Sequence, residues 1–242
     1  MGIYKRWILP ETLGKLEEEM ISCRRCPRLV EWRERVAREK RRAYRDEEYW
    51  ARPVPGFGDG RARVLAVGLA PGAHGSNRTG RMFTGDASGD FLFPALYRTG
   101  FADRPQSIAR DDGLVLHGLF ITAVCRCVPP ENKPSKQEIG NCLPYLQEEL
   151  RLLERVRVVV VLGKIAYDAM IRIFRARGSS IAPPPFSHGA LWQVRESGRT
   201  GKELWILASY HPSRQNTQTG RLTRAMFGRI WRKAETLARS GE

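Results

Sequence analysis

Short apolar runs alternate along the chain with amphipathic or polar stretches. Four of these runs are rich in branched side chains and are bounded by glycine or polar residues, which is typical of strands buried within a sheet. The predicted strands cover residues 62–69, 116–124, 156–162 and 203–209. Helical periodicity predicts helices over residues 10–22, 88–99, 136–154 and 164–176, and a basic helix that ends near residue 239. This alternation predicts an α/β fold, a three-layer α/β/α sandwich around a four-stranded parallel sheet.

The whole chain, residues 1–242, is expected to form a single domain with a distinct N-terminal segment of about 1–60. Within this segment, the stretch from Leu29 to about Trp50 is dense in arginine and glutamate and has few apolar positions. We expect it to be helical and either exposed to solvent or laid along a polyanion. The residues from Pro53 to Gly60 then break the helix.

A long loop from Gly68 to Asp86 leaves the carboxyl end of the first predicted strand and leads into a helix. Open α/β sheets bind their ligands at such positions. The loop combines glycine and proline with an aromatic residue, two arginines, a histidine and an aspartate. A connection that only reversed the chain would not need these side chains, so the loop is a candidate functional site.

The net charge of the chain predicts the kind of partner that it binds. The chain has 41 Lys and Arg against 26 Asp and Glu, which gives a net charge of +15 and a pI near 10.2. A polyanion is the expected partner, with nucleic acid the first candidate and an anionic membrane surface the second. A generally basic surface without such a partner is the alternative.

Compartment is predicted from the absence of targeting signals. No apolar run is long enough to span a bilayer, and the N-terminus lacks the apolar core of a signal peptide. We therefore expect a cytoplasmic protein in a reducing environment, without a membrane partner. The five cysteines are then expected to include metal ligands and not to form a disulfide framework.

The cysteine spacing indicates a metal centre. Cys23 and Cys26 are separated by two residues, so that one tight turn can present both sulfurs to the same centre, and Cys127 and Cys142 follow later in the chain. Such thiolates suit zinc or an iron–sulfur cluster, and the lack of a second closely spaced pair of the zinc-ribbon type favours a cluster. Alternatively, Cys125 and Cys142 are small buried residues, and for Cys125 we favour this interpretation.

With these features in place, the sequence resembles the uracil-DNA glycosylase superfamily, and in particular its family 5, the type B enzymes. Three segments carry the resemblance, in order: Gly68-Leu-Ala-Pro-Gly72 with Asn77-Arg-Thr-Gly-Arg-Met-Phe-Thr-Gly-Asp86; Cys127-Val-Pro-Pro-Glu-Asn-Lys-Pro134; and Tyr210-His-Pro-Ser-Arg-Gln-Asn-Thr-Gln-Thr-Gly220. The resemblance extends over roughly residues 15–235.

The resemblance implies a monofunctional DNA repair glycosylase. Such an enzyme flips uracil, and other deaminated bases such as hypoxanthine, out of DNA and excises them by hydrolysis, leaving an abasic site. It also implies a structural [4Fe-4S] cluster with four cysteine ligands, which would be Cys23, Cys26, Cys127 and Cys142, with Cys125 spare. We expect the enzyme to act as a monomer.

Roles in catalysis follow from the same resemblance. His211 would stabilise the anion of the departing base, and Asp86 would position water or stabilise the sugar cation, because Leu69-Ala70 supplies no carboxylate after the opening glycine. Capping of the following helix is an equally weighted role for Asp86. Asn132 would orient water or contact base or phosphate, although a turn residue is a serious rival interpretation. The predicted base pocket consists of the Phe83 ring and the backbone of Ala70, Pro71 and Gly72.

The remaining residues are predicted to set specificity and bind DNA. Thr122-Ala123 ends the second strand where other families place an asparagine, which implies a pocket that accepts more than uracil. The predicted DNA contacts are the loop residues Ser213, Arg214, Gln215 and Asn216, and the cations Arg78, Arg81, Lys133, Arg221 and Arg224. The alternative function is a non-catalytic nucleic-acid-binding module with a structural zinc. A nucleotide-handling enzyme that binds phosphate with Gly68 and Gly72 is a further possibility. It is disfavoured because the sequence lacks the other residues of a phosphate-binding motif.

Overall fold

The computed structural model describes residues 11–179, 181–195 and 203–240, so the first ten residues of the expected N-terminal segment lie outside it. Six strands in this part of the chain form one mixed sheet in the order β1-β3-β2-β4-β6-β5. They are β1 Phe57–Gly58, β2 Val64–Gly68, β3 Leu119–Ala123, β4 Val158–Leu162, β5 Leu191–Arg195 and β6 Glu203–Ser209. The four strands expected from the sequence are the parallel centre of the sheet, which is confirmed.

The prediction of four strands is corrected at the two edges, where β1 and β5 pair antiparallel to their neighbours. β1 has only two residues, too few to show any periodicity. β5 alternates buried and exposed side chains because it is an edge strand, and it lacks the continuous apolar character of the central strands.

Helices cover both faces of the sheet, as expected for the predicted sandwich. They are α1 Glu11–Ile21, α2 Pro27–Glu39, α3 Ser76–Thr79, α4 Ala87–Arg98, α5 Lys136–Leu152, α6 Lys164–Ala176, α7 Arg214–Gln218 and α8 Arg224–Arg239. Alternate strand residues point to opposite faces, so Ala66 and Val160 pack with α4 and α8, whereas Leu65 and Val159 pack with α5 and α6. None of the helices in the described ranges is long and apolar enough to cross a membrane.

The predicted capping box is present at the start of α5. The Glu138 amide donates to Ser135 Oγ over 3.1 Å, and the Ser135 amide donates to the Glu138 carboxylate over 2.7 Å. This exchange satisfies two backbone donors that the helix itself leaves unpaired. Arg28 of α2 also donates to the Glu138 carboxylate, over 2.7 Å, so the cap ties the N-terminal segment to α5.

The charged N-terminal segment differs from the single exposed helix that we expected. α2 ends at Glu39, and Lys40 adopts a positive φ of 46°. One face of α2 is buried, with Leu29, Val30, Arg33 and Val36 at helical spacing. After α2 the chain runs beside the loop that follows β2, where the Trp50 amide donates to the Arg78 carbonyl over 2.8 Å.

Candidate active site

The loops that follow β2, β4 and β6 meet at the carboxyl edge of the sheet, because these three strands are adjacent and parallel. Gly163, directly after β4, lies against His211: a Cβ atom added there would be 3.3 Å from the Cβ of His211. The loop after β4 thus packs against the third motif segment at this edge.

Phe83 and His211 form the centre of the site. Their rings are stacked, with centroids 5.9 Å apart and an interplanar angle of 28°. The Phe83 ring also lies on Gly68, where an added Cβ would be 2.8 Å from Phe83 Cζ, so a side chain there would displace the ring. Phe83 has a positive φ of 53°, a strained backbone conformation of the kind found at functional sites.

Asp86 caps α4, as one of the two interpretations of the sequence predicts. Its Oδ1 atom accepts hydrogen bonds from the amides of Ser88 and Gly89 over 2.9 and 3.1 Å. Its Oδ2 atom is directed to the preceding loop, and Cβ atoms added at Gly72 and Gly75 would lie 2.9 and 2.2 Å from it. Burial raises the pKa of Asp86. The cap uses one carboxylate oxygen and leaves the other facing the candidate base pocket.

His211 is held in the neutral form near neutral pH. Although the residue as a whole is only half-buried, desolvation lowers the pKa of His211 to about 4. Its carbonyl accepts a hydrogen bond from Asn216 Nδ2 over 2.9 Å, which fixes the turn into α7. A neutral imidazole has one N–H donor, which can be directed at an oxygen that gains negative charge.

The backbone after β2, which the sequence predicts to line the base pocket, lies at the carboxyl edge of the sheet. Pro71 is buried, while Ala70 and Gly72 are half-buried. The Gly72 carbonyl accepts from the Asn77 amide over 3.0 Å. No hydrogen bond among the described residues uses the amides of Ala70 or Gly72, so both remain able to donate to a base carbonyl.

Arg78 and Arg81, predicted to contact phosphate, lie instead in the protein interior, 9% and 3% exposed. Arg78 donates to the carbonyls of His74 and Gly85 over 2.8 and 3.2 Å, and forms an ion pair with Glu47. Arg81 donates to Ser107 Oγ over 2.7 Å and pairs with Asp112 over 2.6 Å. Because both guanidinium groups are engaged with the protein, we remove both residues from the predicted DNA contacts.

The other predicted cations are exposed. Arg214 and Gln215 open α7 on the solvent side, with Ser213 at the N-cap position. Arg214 lies near enough to Asp86 for its charge to act on that carboxyl group. The Arg221 guanidinium lies 4.6 Å from the centre of the Tyr210 ring, and Arg224 lies 5.9 Å from the centre of the Phe91 ring. These arginines surround the loop that carries His211.

Asn132 and Lys133 lie on an exposed turn that makes no hydrogen bond or ring contact with the Phe83–His211 pair among the described residues. Glu131 and Asn132 have positive φ values of 53° and 57°. Lys133 pairs with Glu131 over 3.1 Å, with both side chains exposed, and its carbonyl accepts from Arg28 over 3.2 Å. The catalytic role of Asn132 stays a prediction.

The cysteines cluster where α2, the exit of β3 and α5 meet. Cys23 and Cys26 are half-buried, whereas Cys125, Cys127 and Cys142 are buried, and all five are free thiols. The buried Arg33 donates to Cys127 Sγ over 3.0 Å, and Asn141 Nδ2 donates to Cys26 Sγ over 3.4 Å. Among the described residues, no three His, Cys, Asp or Glu side chains form a group that holds a single metal ion.

Sequence reasoning missed a buried polar network between the exit of β3 and α5. Arg126 is 1% exposed and pairs with Glu149, whose Oε2 also accepts from Thr122 Oγ1 over 2.7 Å. The Thr122 hydroxyl is thus hydrogen-bonded within the protein. In a chain with this many arginines, composition alone does not reveal which ones are buried. Placement directly after a buried strand, between two cysteines, was the only signal available for Arg126.

Comparison with known proteins places these features in a family. The family described as "Uracil DNA glycosylase superfamily" matches residues 55–235. The chain is similar to the Type-5 uracil-DNA glycosylase of Thermus thermophilus, with 54% identity over 91% of this chain and 96% of that protein. It is also 48% identical to the Type-5 enzyme of Mycobacterium leprae, over 94% and 96% of the two chains. Similarity to the Type-4 uracil-DNA glycosylase of Pyrobaculum aerophilum is lower, 30% identity over 83% of each chain.

Proposed function

Because the chain belongs to the uracil DNA glycosylase superfamily, we propose that it is a DNA repair enzyme that hydrolyses the N-glycosidic bond of uracil in DNA. The observation that supports particular residues in this function is the stacking of Phe83 on His211 at the carboxyl edge of the sheet, with Asp86 three residues after Phe83 on the same loop. A base within a duplex cannot reach this edge, so the nucleotide must be extruded from the helix.

The pocket recovers part of the cost of extrusion by binding the base. In this proposal the Phe83 ring supplies an apolar face for stacking, and the amides of Ala70 and Gly72 donate to base carbonyls. Glycine at position 68 lets the ring lie directly on the strand end. Stacking on an aromatic ring stabilises a bound base by about 1–3 kcal/mol, irrespective of its identity.

Bond cleavage leaves positive charge on the sugar and negative charge on the base. The Oδ2 atom of Asp86 counters the sugar cation and accepts a proton from the attacking water, whose oxygen bonds to C1′. The neutral His211 imidazole donates to O2 of the departing base, so the electron pair of the broken bond is stabilised on uracil. The base anion then takes up a proton from solvent, and the sugar–phosphate chain remains intact.

Substrate range extends beyond uracil in this proposal. β3 ends with Thr122-Ala123, and the Thr122 hydroxyl is occupied by Glu149 and Arg126. This strand end therefore supplies no side-chain amide that would pair with the Watson–Crick edge of uracil. A pocket that relies on stacking and backbone donors tolerates bases such as hypoxanthine.

Duplex oligonucleotides that carry uracil, hypoxanthine or thymine at one position test the proposal. Alkali after incubation should break the strand at the uracil and hypoxanthine positions, and no break should occur before alkali. Release of neither damaged base would overturn the proposed function. Cleavage of the uracil strand alone would restrict the pocket to uracil, and breaks before alkali would exclude a monofunctional hydrolase.

A [4Fe-4S] cluster held by Cys23, Cys26, Cys127 and Cys142 forms part of the proposal. The donor set fits such a group, because the buried Arg33 has the Cys127 sulfur as a partner and a buried cation requires negative charge nearby. Interaction with Cys142, together with burial, raises the pKa of the Cys125 thiol, which suits a neutral neighbour of the ligand set. The cluster would supply a structural cross-link between the N-terminal segment and the exit of β3.

Iron and sulfide analysis, with visible absorption, tests the cluster independently of activity. We expect about four irons per chain and loss of the visible band in Cys142→Ser and Cys127→Ser, but not in Cys125→Ser. One zinc and no iron would overturn the cluster. Loss of the band in Cys125→Ser with retention in Cys127→Ser would exchange the two ligand assignments.

Quaternary state and location complete the proposal. A monomer is expected, because one chain carries the candidate catalytic groups, and light scattering with and without an oligonucleotide measures the mass directly. A mass of two chains without DNA would contradict it. We also propose a cytoplasmic enzyme, which fractionation of the producing cells tests.

A further inference from the structure

The excursion between α4 and β3 contains the most exposed of the three exposed large apolar side chains in the described chain, Ile108, which is 64% exposed. This loop is closed by an isolated antiparallel bridge between Ala102 and Leu116. Exposed apolar residues are common, and exposure alone gives Ile108 no function. Ile108 differs from other exposed apolar residues in its position beside the candidate active site and in the hydrogen bonds that fix its backbone.

The position of Ile108 is fixed through Ser107, the residue that precedes it. The Ser107 carbonyl accepts a hydrogen bond from the Gly85 amide over 3.1 Å, and its hydroxyl contacts Thr84 Oγ1 at 2.7 Å. Gly85 directly precedes Asp86 in the candidate active site. Ile108 therefore lies beside the loop that carries Phe83 and Asp86, at the carboxyl edge of the sheet.

The excursion is held rigidly at this point by a buried ion pair. Arg81 donates to Asp112 Oδ2 over 2.6 Å and to Ser107 Oγ over 2.7 Å. The same Asp112 oxygen accepts from the Ile108 amide over 2.8 Å. Arg81, which the sequence suggested as a phosphate contact, instead fixes the backbone that presents Ile108 to solvent. A side chain held in this way loses little conformational freedom when it binds.

The position of Ile108 beside the candidate base pocket indicates DNA as its partner. Arg104 and Arg110 flank it on the same excursion, and both are exposed. Both are ordered by contacts within the protein: Arg104 pairs with Asp103 over 3.2 Å and donates to the Asp112 carbonyl over 2.8 Å, and Arg110 pairs with Glu17 over 3.0 Å and lies 4.4 Å from the centre of the Trp50 ring. An apolar side chain between two ordered arginines, next to a base pocket, matches the apolar side chains by which proteins contact base steps and sugars of deformed DNA.

We propose that Ile108 is a DNA-contact residue that packs against the duplex next to the extruded nucleotide and favours extrusion. The inference rests on the proposed glycosylase function and adds a contact from a second loop, apart from the one that follows β6. Ile108 is not a catalytic residue, because it acts on the DNA helix and not on the reacting bond. A substrate without a helix to open should therefore be indifferent to it.

Single-turnover excision of uracil from duplex and single-stranded oligonucleotides of the same sequence tests the proposal. Ile108→Ala should slow excision from the duplex by about tenfold, since an apolar contact of one side chain is lost, and leave single-strand excision unchanged. Ile108→Leu should restore most of the duplex rate. A 2-aminopurine placed beside the uracil should report less base extrusion with Ile108→Ala than with the wild-type protein.

Tyr97→Ala is the matched control. Tyr97 is also an exposed large apolar residue, 50% exposed, but it lies near the far end of α4 from Asp86, about 15 Å along the helix axis. Its removal should change neither rate. Equal rates for Ile108→Ala and wild type on the duplex would overturn the proposal, and so would an equal loss on both substrates. Wild-type protein inactive on both substrates would overturn the proposed function, and this inference with it.

Discussion

Asp86 shows, at the scale of a residue, that two roles suggested by the sequence are compatible. One carboxylate oxygen caps α4, while the other faces the loop at Gly72 and Gly75. The sequence supplies the identity and order of Phe83, Asp86 and His211, because these residues stand in recognisable segments at strand ends. It does not supply the division of work between two oxygens of one carboxylate, since that depends on how closely the glycine backbone approaches.

Asp86→Asn separates the two roles. The amide oxygen can still accept from Ser88 and Gly89, but the side chain can no longer take a proton or counter a cation. Single-turnover excision should fall by on the order of 10²–10³, while the melting temperature stays close to that of the wild type. Asp86→Ala should additionally lose about 1 kcal/mol of stability with the cap. Wild-type excision by Asp86→Asn would reduce Asp86 to a cap.

The pH profile gives a second residue-scale prediction. Since burial lowers the pKa of His211 to about 4, this residue stays neutral as the pH falls through 6.5, the usual value for histidine. The single-turnover rate should therefore show no inflection near 6.5. An acid limb should appear where Asp86 takes up a proton, above its usual pKa of 3.8 because burial raises it. Because His211 itself takes up a proton near pH 4, the limb is followed above that pH, where Asp86→Asn should lack it. An inflection near 6.5 that His211→Gln removes would contradict the assignment.

At the scale of an element, prediction succeeded where a pattern is determined by local sequence. The helix at Lys164–Ala176, the capping box at Ser135 and the parallel strands were predictable because propensity, burial and turn residues agree there. β5 was missed because an edge strand is buried on one face only. The end of α2 at Glu39 was missed because the helix ends at a residue with positive φ, Lys40, that is not glycine. The sequence therefore carries no glycine signal for the break.

β3 and α5 are joined by the buried pair Arg126–Glu149, which gives an element-scale prediction. Glu149→Gln leaves a buried guanidinium without its counter-charge, so we expect a loss of about 3–5 kcal/mol in the free energy of unfolding. Glu148→Gln, on the same helix, is the control: its pair with Arg151 is exposed, and a loss below about 1 kcal/mol is expected. Urea unfolding measures both, and equal losses would contradict a special role for the buried pair.

For the whole molecule, the net charge of +15 correctly directed attention to nucleic acid, but charge does not say which arginines meet DNA. Several are committed to the interior: Arg33 to a cysteine, Arg78 to Glu47, Arg81 to Asp112 and Arg126 to Glu149. A protein of this composition thus uses buried arginines to cross-link its loops. We therefore expect the DNA-binding charge to come from exposed residues around the loop that follows β6.

The distinction between buried and exposed arginines predicts how DNA binding depends on salt. Neutralisation of a phosphate by an exposed arginine releases counterions, so the logarithm of affinity should fall steeply with the logarithm of salt concentration. Arg221→Gln should lower that slope by about one, because it removes one phosphate contact. Arg155→Gln, the same charge change at an exposed residue before β4, on the amino edge of the sheet, should leave the slope unchanged. Arg81→Gln should reduce stability through loss of the Asp112 pair, again without a change in slope.

Anisotropy titrations of a labelled duplex at several salt concentrations measure the slopes. Equal reductions for Arg221→Gln and Arg155→Gln would mean that the protein binds DNA through its overall charge and not through the face that carries His211.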